Sequence, residues 1–309
     1  MKQANAILGL LAQTSIHAGT GQNTDIIDLP IQREGHNGYP CIHGSAMKGA
    51  LRAHAETYYG KNTREVTLGF GSEMNANGGS EYAGALMISD ARILLLPVRS
   101  LTSQFKWVTC PAVLNRFKQD AKRFGLSQID FAIPDIKEDK KEPITVLPQC
   151  SKGDSLFLEE YRFETQPFDL TKMIEALASL MQNDQAKQNL EQQLAIVSNE
   201  LFNHICQHAT PVNAHIAINS ETGVVKNGAL WYEETLPPET LFYVGVSANA
   251  SRKSAKASSK EVEADEHQKI AAKDMLCNLT SMFYKEPWLQ VGGNETVGMG
   301  WCAIKSLKA

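Results

Sequence analysis

The chain has no C-x-x-C pair. Its six cysteines, at positions 41, 110, 150, 206, 277 and 302, are widely spaced. That excludes a zinc knuckle and a disulfide framework, and it points to reduced thiols in a cytoplasmic protein. Nor is there an excess of positive charge. The formal net charge is −4 and the pI about 6.1, which excludes a protein that coats nucleic acid by bulk charge but leaves room for a local basic track. Long apolar runs are missing as well. The first one, residues 4–12, is too short for a membrane span. Gln13, Thr14 and Ser15 follow it without a cleavage site, so it reads as a strand and not a signal peptide. Asn278-Leu279-Thr280 is a glycosylation sequon in form only, since nothing suggests secretion.

What remains is an ordinary globular composition. The 309 residues, 43% hydrophobic, suffice for one large domain or two smaller ones. Past the strand at 4–12, residues 17–44 hold five glycines, two prolines and three histidines with no steady period. So long an irregular segment is a functional loop or a disordered one. Ser45 reads as an N-cap for a helix over 46–59 that buries Met47, Leu51 and Ala55 and ends at Gly60. Residues 61–82 read as a loop, and strands are expected at 85–88 and 93–96 with Asp90 between them. Pro111 suits the first turn of a helix over 111–124 whose outer side carries Arg116, Lys118, Lys122 and Arg123 against Asp120. A charged loop at 134–143 precedes strands near 144–148 and 155–163. Helices follow at 169–182 and 186–207. Val212–Ile218 alternates, 220–223 turns, and Val224-Val225 begins a return strand. Asn227-Gly228 is a second turn signal. A strand at 240–246 comes next. Residues 249–268 are too poor in apolar side chains to offset their ordering entropy, so disorder is expected there. A helix at about 268–283 leads to the glycine-rich stretch 290–301.

The candidate sites compete with plainer readings. Gly19-Thr20-Gly21 lacks the third glycine of a dinucleotide fingerprint, Thr24 standing in its place. Gly293 and Gly298 have the spacing of a phosphate-binding loop, but Met299 occupies the lysine position. The glycines can still let backbone approach a phosphate or simply make turns. His204 and His208 have the i, i+4 spacing of a metal pair, yet Ile205 stands where a zinc protease would carry Glu. His17 opens the irregular segment, either as a catalytic or sugar-contacting group or as a loop-ordering hydrogen-bonder. Asp28 is either a functional carboxylate or the cap of its own turn, with Asp25 as an alternative acid. Gly44 and Ser45 begin a helix whose free N–H groups suit an anion, and Lys48 and Arg52, one turn apart, would extend that site along a phosphate backbone.

Six segments together resemble a known family. They are His17-Ala18-Gly19-Thr20-Gly21, Asp28-Leu29-Pro30-Ile31-Gln32-Arg33-Glu34, Gly44-Ser45-Ala46-Met47-Lys48-Gly49-Ala50-Leu51-Arg52, Trp107-Val108-Thr109-Cys110-Pro111, Gly228-Ala229-Leu230-Trp231-Tyr232-Glu233-Glu234 and Gly292-Gly293-Asn294-Glu295-Thr296-Val297-Gly298-Met299-Gly300. The chain resembles the repeated backbone nuclease subunit of type III-B (Cmr) CRISPR effector complexes, in the RAMP superfamily. The resemblance implies an α+β fold with a ferredoxin-like, modified RNA-recognition core in a single domain over 1–309. Insertions would form a palm, fingers and a thumb hairpin at about 209–234, with a catalytic loop at 13–44. It also implies copies stacked as a filament on a guide RNA beside other RAMP and small subunits, with no membrane. Complementary target RNA would be cut at regular intervals, with magnesium or manganese as the divalent ion. Asp28 matches the aspartate on which the family relies, and would either take the 2′-proton or hold the metal that does so. His17 would assist. Gln32, Arg33, Gly44, Ser45, Lys48, Arg52, Gly293 and Gly298 would contact RNA, and Tyr232, Glu233 and Glu234 would play supporting roles. Two rival expectations are a purely structural RNA-binding subunit and a stand-alone guide-processing RAMP endoribonuclease.

Overall fold

A computed structural model of the chain describes residues 3–22, 26–72, 83–136, 143–252 and 269–309. Asp25, most of the segment expected to be disordered (253–268) and parts of the loops at 61–82 and 134–143 lie outside these residues. The described part is a mixed α+β structure built on one large sheet and one separate hairpin.

Strand β1 (Ala4–Ala12) is buried along nearly its whole length because strands flank it on both sides. It pairs antiparallel with β12 (Leu241–Ala248) on one side and β14 (Trp301–Lys308) on the other. Gly9 is required there, since a Cβ at that position would lie 2.1 Å from the Leu180 carbonyl oxygen. The order continues outward through β13 (Trp288–Gln290) beyond β14 and through β4 (Ala91–Ser100) beyond β12. The short β2 (Cys41–Ile42) pairs with β4, and β3 (Leu86–Ile88) with β12. Helix α1 (Gly44–Tyr59) buries Met47, Leu51 and Ala55, four residues apart on one face. Helix α7 (Ala272–Ser281) packs on β1 and β12.

The long β4 also belongs to a second group. It pairs with β5 (Gln104–Thr109), then the order runs through β9 (Leu194–Ile196), β6 (Ile144–Leu147), β8 (Tyr161–Pro167) and β7 (Ser155–Leu158). A Ser100–Leu158 pairing closes the circuit onto β4. Helices α3 (Pro111–Arg123), α4 (Thr171–Ala178), α5 (Ala186–Gln193) and α6 (Asn199–His208) accompany this half, and α2 (Arg64–Phe70) accompanies α1. The separate hairpin is β10 (Val212–Ile218) with β11 (Val225–Glu234).

Several expectations need correcting. His43, not Ser45, is the residue before α1. Ser45 lies inside the first turn, and no side chain caps that end. A helix, α2, occupies part of the stretch read as loop, because Val66 and Phe70 provide a buried i, i+4 pair. The helix expected over 186–207 is two helices separated by β9, whose Leu194, Ala195 and Ile196 are buried in the sheet. Burial between strands favoured the extended form over helical continuation. Asn227-Gly228 lies within β11. Gly228 adopts φ 73°, and the pairing slips between Ile216 and Ile218, so the signal marks an irregularity in the ribbon instead of a turn. Asp120 does not sit on the outer face of α3. It is buried and accepts hydrogen bonds from Arg92, Arg123 and Tyr243.

Candidate functional site

The described residues of the segment 13–44 are tied down by isolated bridges. Gly19 pairs with Ile31 and Arg33 with Pro40 inside the segment. Ile16 pairs with Leu236 and Leu29 with Glu233 outside it. Leu29 N–H donates to the Tyr232 carbonyl at 3.1 Å, and Glu234 N–H donates to the Leu29 carbonyl at 3.0 Å. The backbone of Asp28 is thereby fixed beside the base of β11. Its side chain is fixed too: Oδ2 accepts the Tyr232 N–H at 2.7 Å. The carboxylate thus satisfies a strand amide and stays partly exposed.

His17 is buried against the same base. Its Nδ1 lies 2.8 Å from the Glu234 carbonyl. A carbonyl only accepts, so Nδ1 carries the proton. A Cβ at Gly19 would lie 2.6 Å from His17 Nε2, and one at Gly292 (φ 87°) would lie 2.4 Å from the His17 carbonyl oxygen. These glycines are needed because backbone approaches His17 closely in two places, Gly19 at the imidazole and Gly292 at the main-chain carbonyl. Gly293 N–H donates to the His17 carbonyl at 2.8 Å. The glycine-rich loop is therefore tied to the segment bearing Asp28, whereas Gly298 (φ 82°) faces open space.

Two buried carboxylates complete the base. Glu233 Oε1 accepts from Asn294 Nδ2 at 2.6 Å and lies 3.8 Å from His17 Nδ1. Glu234 pairs with Arg33 and accepts from Thr210 Oγ1 at 2.6 Å and from the Ile31 N–H at 3.1 Å. Arg33 also donates to the carbonyls of Gly38 and Cys206, so its guanidinium faces inward. The neighbouring Glu34 is held by Arg116 Nη1 at 2.6 Å and by Asn37 Nδ2. Gln32 bridges the Gly19 carbonyl and the His43 N–H, at 3.0 Å and 2.6 Å. That bridge joins the segment to the start of α1.

The start of α1 differs from the open anion cradle expected there. The Gly44 N–H donates to Asp90 Oδ1 at 2.6 Å. Ser45 is exposed and Lys48 half-exposed. Arg52 is tied to Glu56 at 2.8 Å and to the Gly71 carbonyl. The structure thus gathers His17, Asp28, Gln32, Arg33, Tyr232, Glu233, Glu234 and Gly293 into one hydrogen-bonded group. Lys48, Arg52 and Gly298 lie outside that group. His204 and His208 are elsewhere: His204 Nε2 meets the Tyr161 hydroxyl at 2.8 Å, and no cluster of three or more His, Cys, Asp or Glu suited to a metal occurs among the described residues. Burial pushes the Cys41 thiol up to about 11 and raises Cys110 and Cys206 as well.

Sequence reasoning missed Asn294, Thr210 and Asp90. Asn294 lay within a recognised glycine-rich stretch, and Asp90 was read only as a strand breaker. Nothing local marks Thr210, which reaches Glu234 across 24 residues.

Residues 10–303 match the family model of the RAMP superfamily, which sets the class. A relative from Pyrococcus furiosus, the CRISPR system Cmr endoribonuclease Cmr4, is 32% identical over 303 residues, 96% of this chain and 94% of that protein. The chain belongs to the Cmr4 family of the RAMP superfamily. The CMR subunit Cmr4 of Saccharolobus solfataricus is 23% identical over 96% of this chain and 94% of that one. The crystal structure of oligomeric Cmr4 from Pyrococcus furiosus superposes with a TM-score of 0.71 at 25% identity, covering 100% of this chain and 99% of that one. A chain in the cryo-EM structure of a type III-B Cmr-beta complex bound to cognate target RNA shares the fold, with a TM-score of 0.69 at 20% identity over 99% of this chain and 97% of that one. No helix among the described residues is long and apolar enough to cross a membrane.

Proposed function

We propose that this chain is a backbone subunit of a type III-B effector complex that stacks on guide RNA and cleaves complementary target RNA. The observation that carries the reading is the Asp28 carboxylate, fixed by the Tyr232 amide at 2.7 Å where the irregular segment meets the base of the hairpin. Kinship to an endoribonuclease over almost the full chain supports it. Strand order also supports a ferredoxin-like core. The antiparallel run β14-β1-β12-β4 has α1 between β1 and β4 in the chain and α7 between β12 and β14. The hairpin then serves as the thumb that displaces a nucleotide of the guide–target duplex. Other RAMP and small subunits are its neighbours in the assembly, and the cytoplasm its compartment.

RNA carries its own nucleophile, the 2′-hydroxyl. In a stacked helix that oxygen is out of line with the leaving 5′-oxygen, and a displaced nucleotide permits alignment. Asp28 accepts the 2′-proton as the oxygen–phosphorus bond forms. The phosphorus–5′-oxygen bond breaks, and the 5′-oxygen takes a proton. The products are a 2′,3′-cyclic phosphate and a 5′-hydroxyl. Lys48 and the glycine-rich loop hold the backbone, while base pairing selects the sequence. Asp28, a partly exposed carboxylate, would be the residue to hold a magnesium or manganese ion at this site. When bound, such an ion would neutralise phosphate charge.

The test is reconstitution with guide RNA, labelled complementary RNA and magnesium. Regularly spaced cuts ending in cyclic phosphate are expected. Asp28→Asn should lower the cleavage rate by about 10²–10⁴-fold with target binding unchanged. Intact target under wild-type conditions would make the subunit purely structural, and cutting of free precursor by the isolated chain would make it a guide-processing enzyme.

A further inference from the structure

We infer that Asn294 is a positioning residue for Asp28, acting through Glu233 at the base of β11; this rests on the nuclease reading above. Asn294 is a non-glycine residue in the left-handed region, φ 61° and ψ 30°, at the head of the 3-10 turn Glu295–Val297. Asparagine adopts this conformation more readily than other side-chain-bearing residues, and the contacts around it here are explicit. Its carbonyl accepts the N–H groups of Val297 and Met299, at 3.1 Å and 3.2 Å. Its Nδ2 donates to Glu233 Oε1 at 2.6 Å.

Glu233 is 3% exposed, so its carboxylate depends on protein partners, and Asn294 gives it the shorter of its two side-chain contacts. The charged and titratable groups around that carboxylate come from two elements, the irregular segment and β11. His17 of the irregular segment is 3.8 Å away. Glu234 is the next residue of β11, and Arg33 faces Glu234. Tyr232, on the other side of Glu233, presents the N–H that holds Asp28. The glycine-rich loop is thereby connected to Asp28 in three steps: Asn294 to Glu233, along one residue of β11, and from the Tyr232 amide to the carboxylate. A loop that closes on RNA would set the base of the hairpin, and with it the orientation of the acid. An isolated turn would need no bond to a buried carboxylate on another element.

A donor–acceptor exchange tests this in the assembled complex. Asn294→Gly keeps the backbone conformation and removes the donor. It should lower the cleavage rate at saturating target by about tenfold, a loss expected for one hydrogen bond to a charged group, with target affinity unchanged. Asn294→Asp sets a second carboxylate against Glu233. The two share one proton, so cleavage should fall further as pH rises and the second acid ionises. Adding Glu233→Gln to Asn294→Asp restores a donor–acceptor pair with the roles reversed. That double variant should recover most of the rate and lose the added pH dependence. Peptide-level hydrogen exchange over 228–236 gives a readout apart from activity: faster exchange is expected in Asn294→Gly and protection in the double variant. A wild-type rate in Asn294→Gly overturns the proposal. So does a double variant that assembles normally yet cleaves no better than Asn294→Asp. If the unmodified complex fails to cleave at all, the nuclease reading falls, and the exchange data alone decide whether Asn294 orders the hairpin base.

Discussion

The two ends of the hairpin invert the usual rule for a polar surface and an apolar interior. Toward the tip, apolar side chains stand in solvent: the cross-strand partners Ile216 and Leu230 are 50% and 54% exposed, and Val224 and Val225 are exposed too. At the base, Glu233, Glu234 and Thr235 are buried. The difference separates what the chain completes alone from what it leaves open. Buried carboxylates are tolerated at the base because Arg33, Thr210, Asn294 and backbone N–H groups satisfy them. The tip has no comparable partners among the described residues.

The largest stability effect expected from this contrast is at the base. Glu234→Ala should destabilise the isolated chain by about 2–3 kcal/mol, because Arg33 and the Ile31 amide lose their acceptor together. Urea unfolding with an unchanged m-value measures it. A loss under about 0.5 kcal/mol would place Glu234 with ordinary surface residues and end the contrast. Gly292→Ala should cost somewhat less, about 1–3 kcal/mol, since its φ of 87° and the nearby His17 carbonyl both oppose a side chain. The same titration checks it. Replacing Ile216 and Leu230 together by Ser should change stability by no more than about 0.5 kcal/mol, and a larger loss would mean that the tip is packed.

The smallest effect belongs to a control remote from both ends. His54 stacks on Phe283 at 5.1 Å, and burial lowers its pKa below 6.5. The folded chain therefore takes up that proton less readily than the unfolded chain. Stability from this residue is complete above about pH 6.5 and declines as pH falls through the lowered folded value. His54→Phe should flatten the decline in thermal midpoint across that window. An identical slope in both proteins would remove His54 as its source.

Legibility in the sequence followed the range of the interactions. β1, the Pro111 helix start, the buried face of α1 and the alternating β10 were readable because period and capping are local. β9 was not, since a three-residue apolar segment becomes strand or helix according to its neighbours. Among the site residues, Asp28, His17 and the glycines stood out through their motif. Their geometry did not: His17 finds Glu234 across 217 positions, and Asp28 finds Tyr232 across 204.

The chain alone thus determined the family, the main elements and the acid that a nuclease reading requires, because residue type and short-range spacing carry those. Only the folded molecule decided that Arg33 faces inward, that the start of α1 is answered by Asp90, and that Asn294 meets Glu233. Hydrogen-bond partners far apart in sequence are chosen by which elements the core brings side by side, and no local pattern encodes that choice.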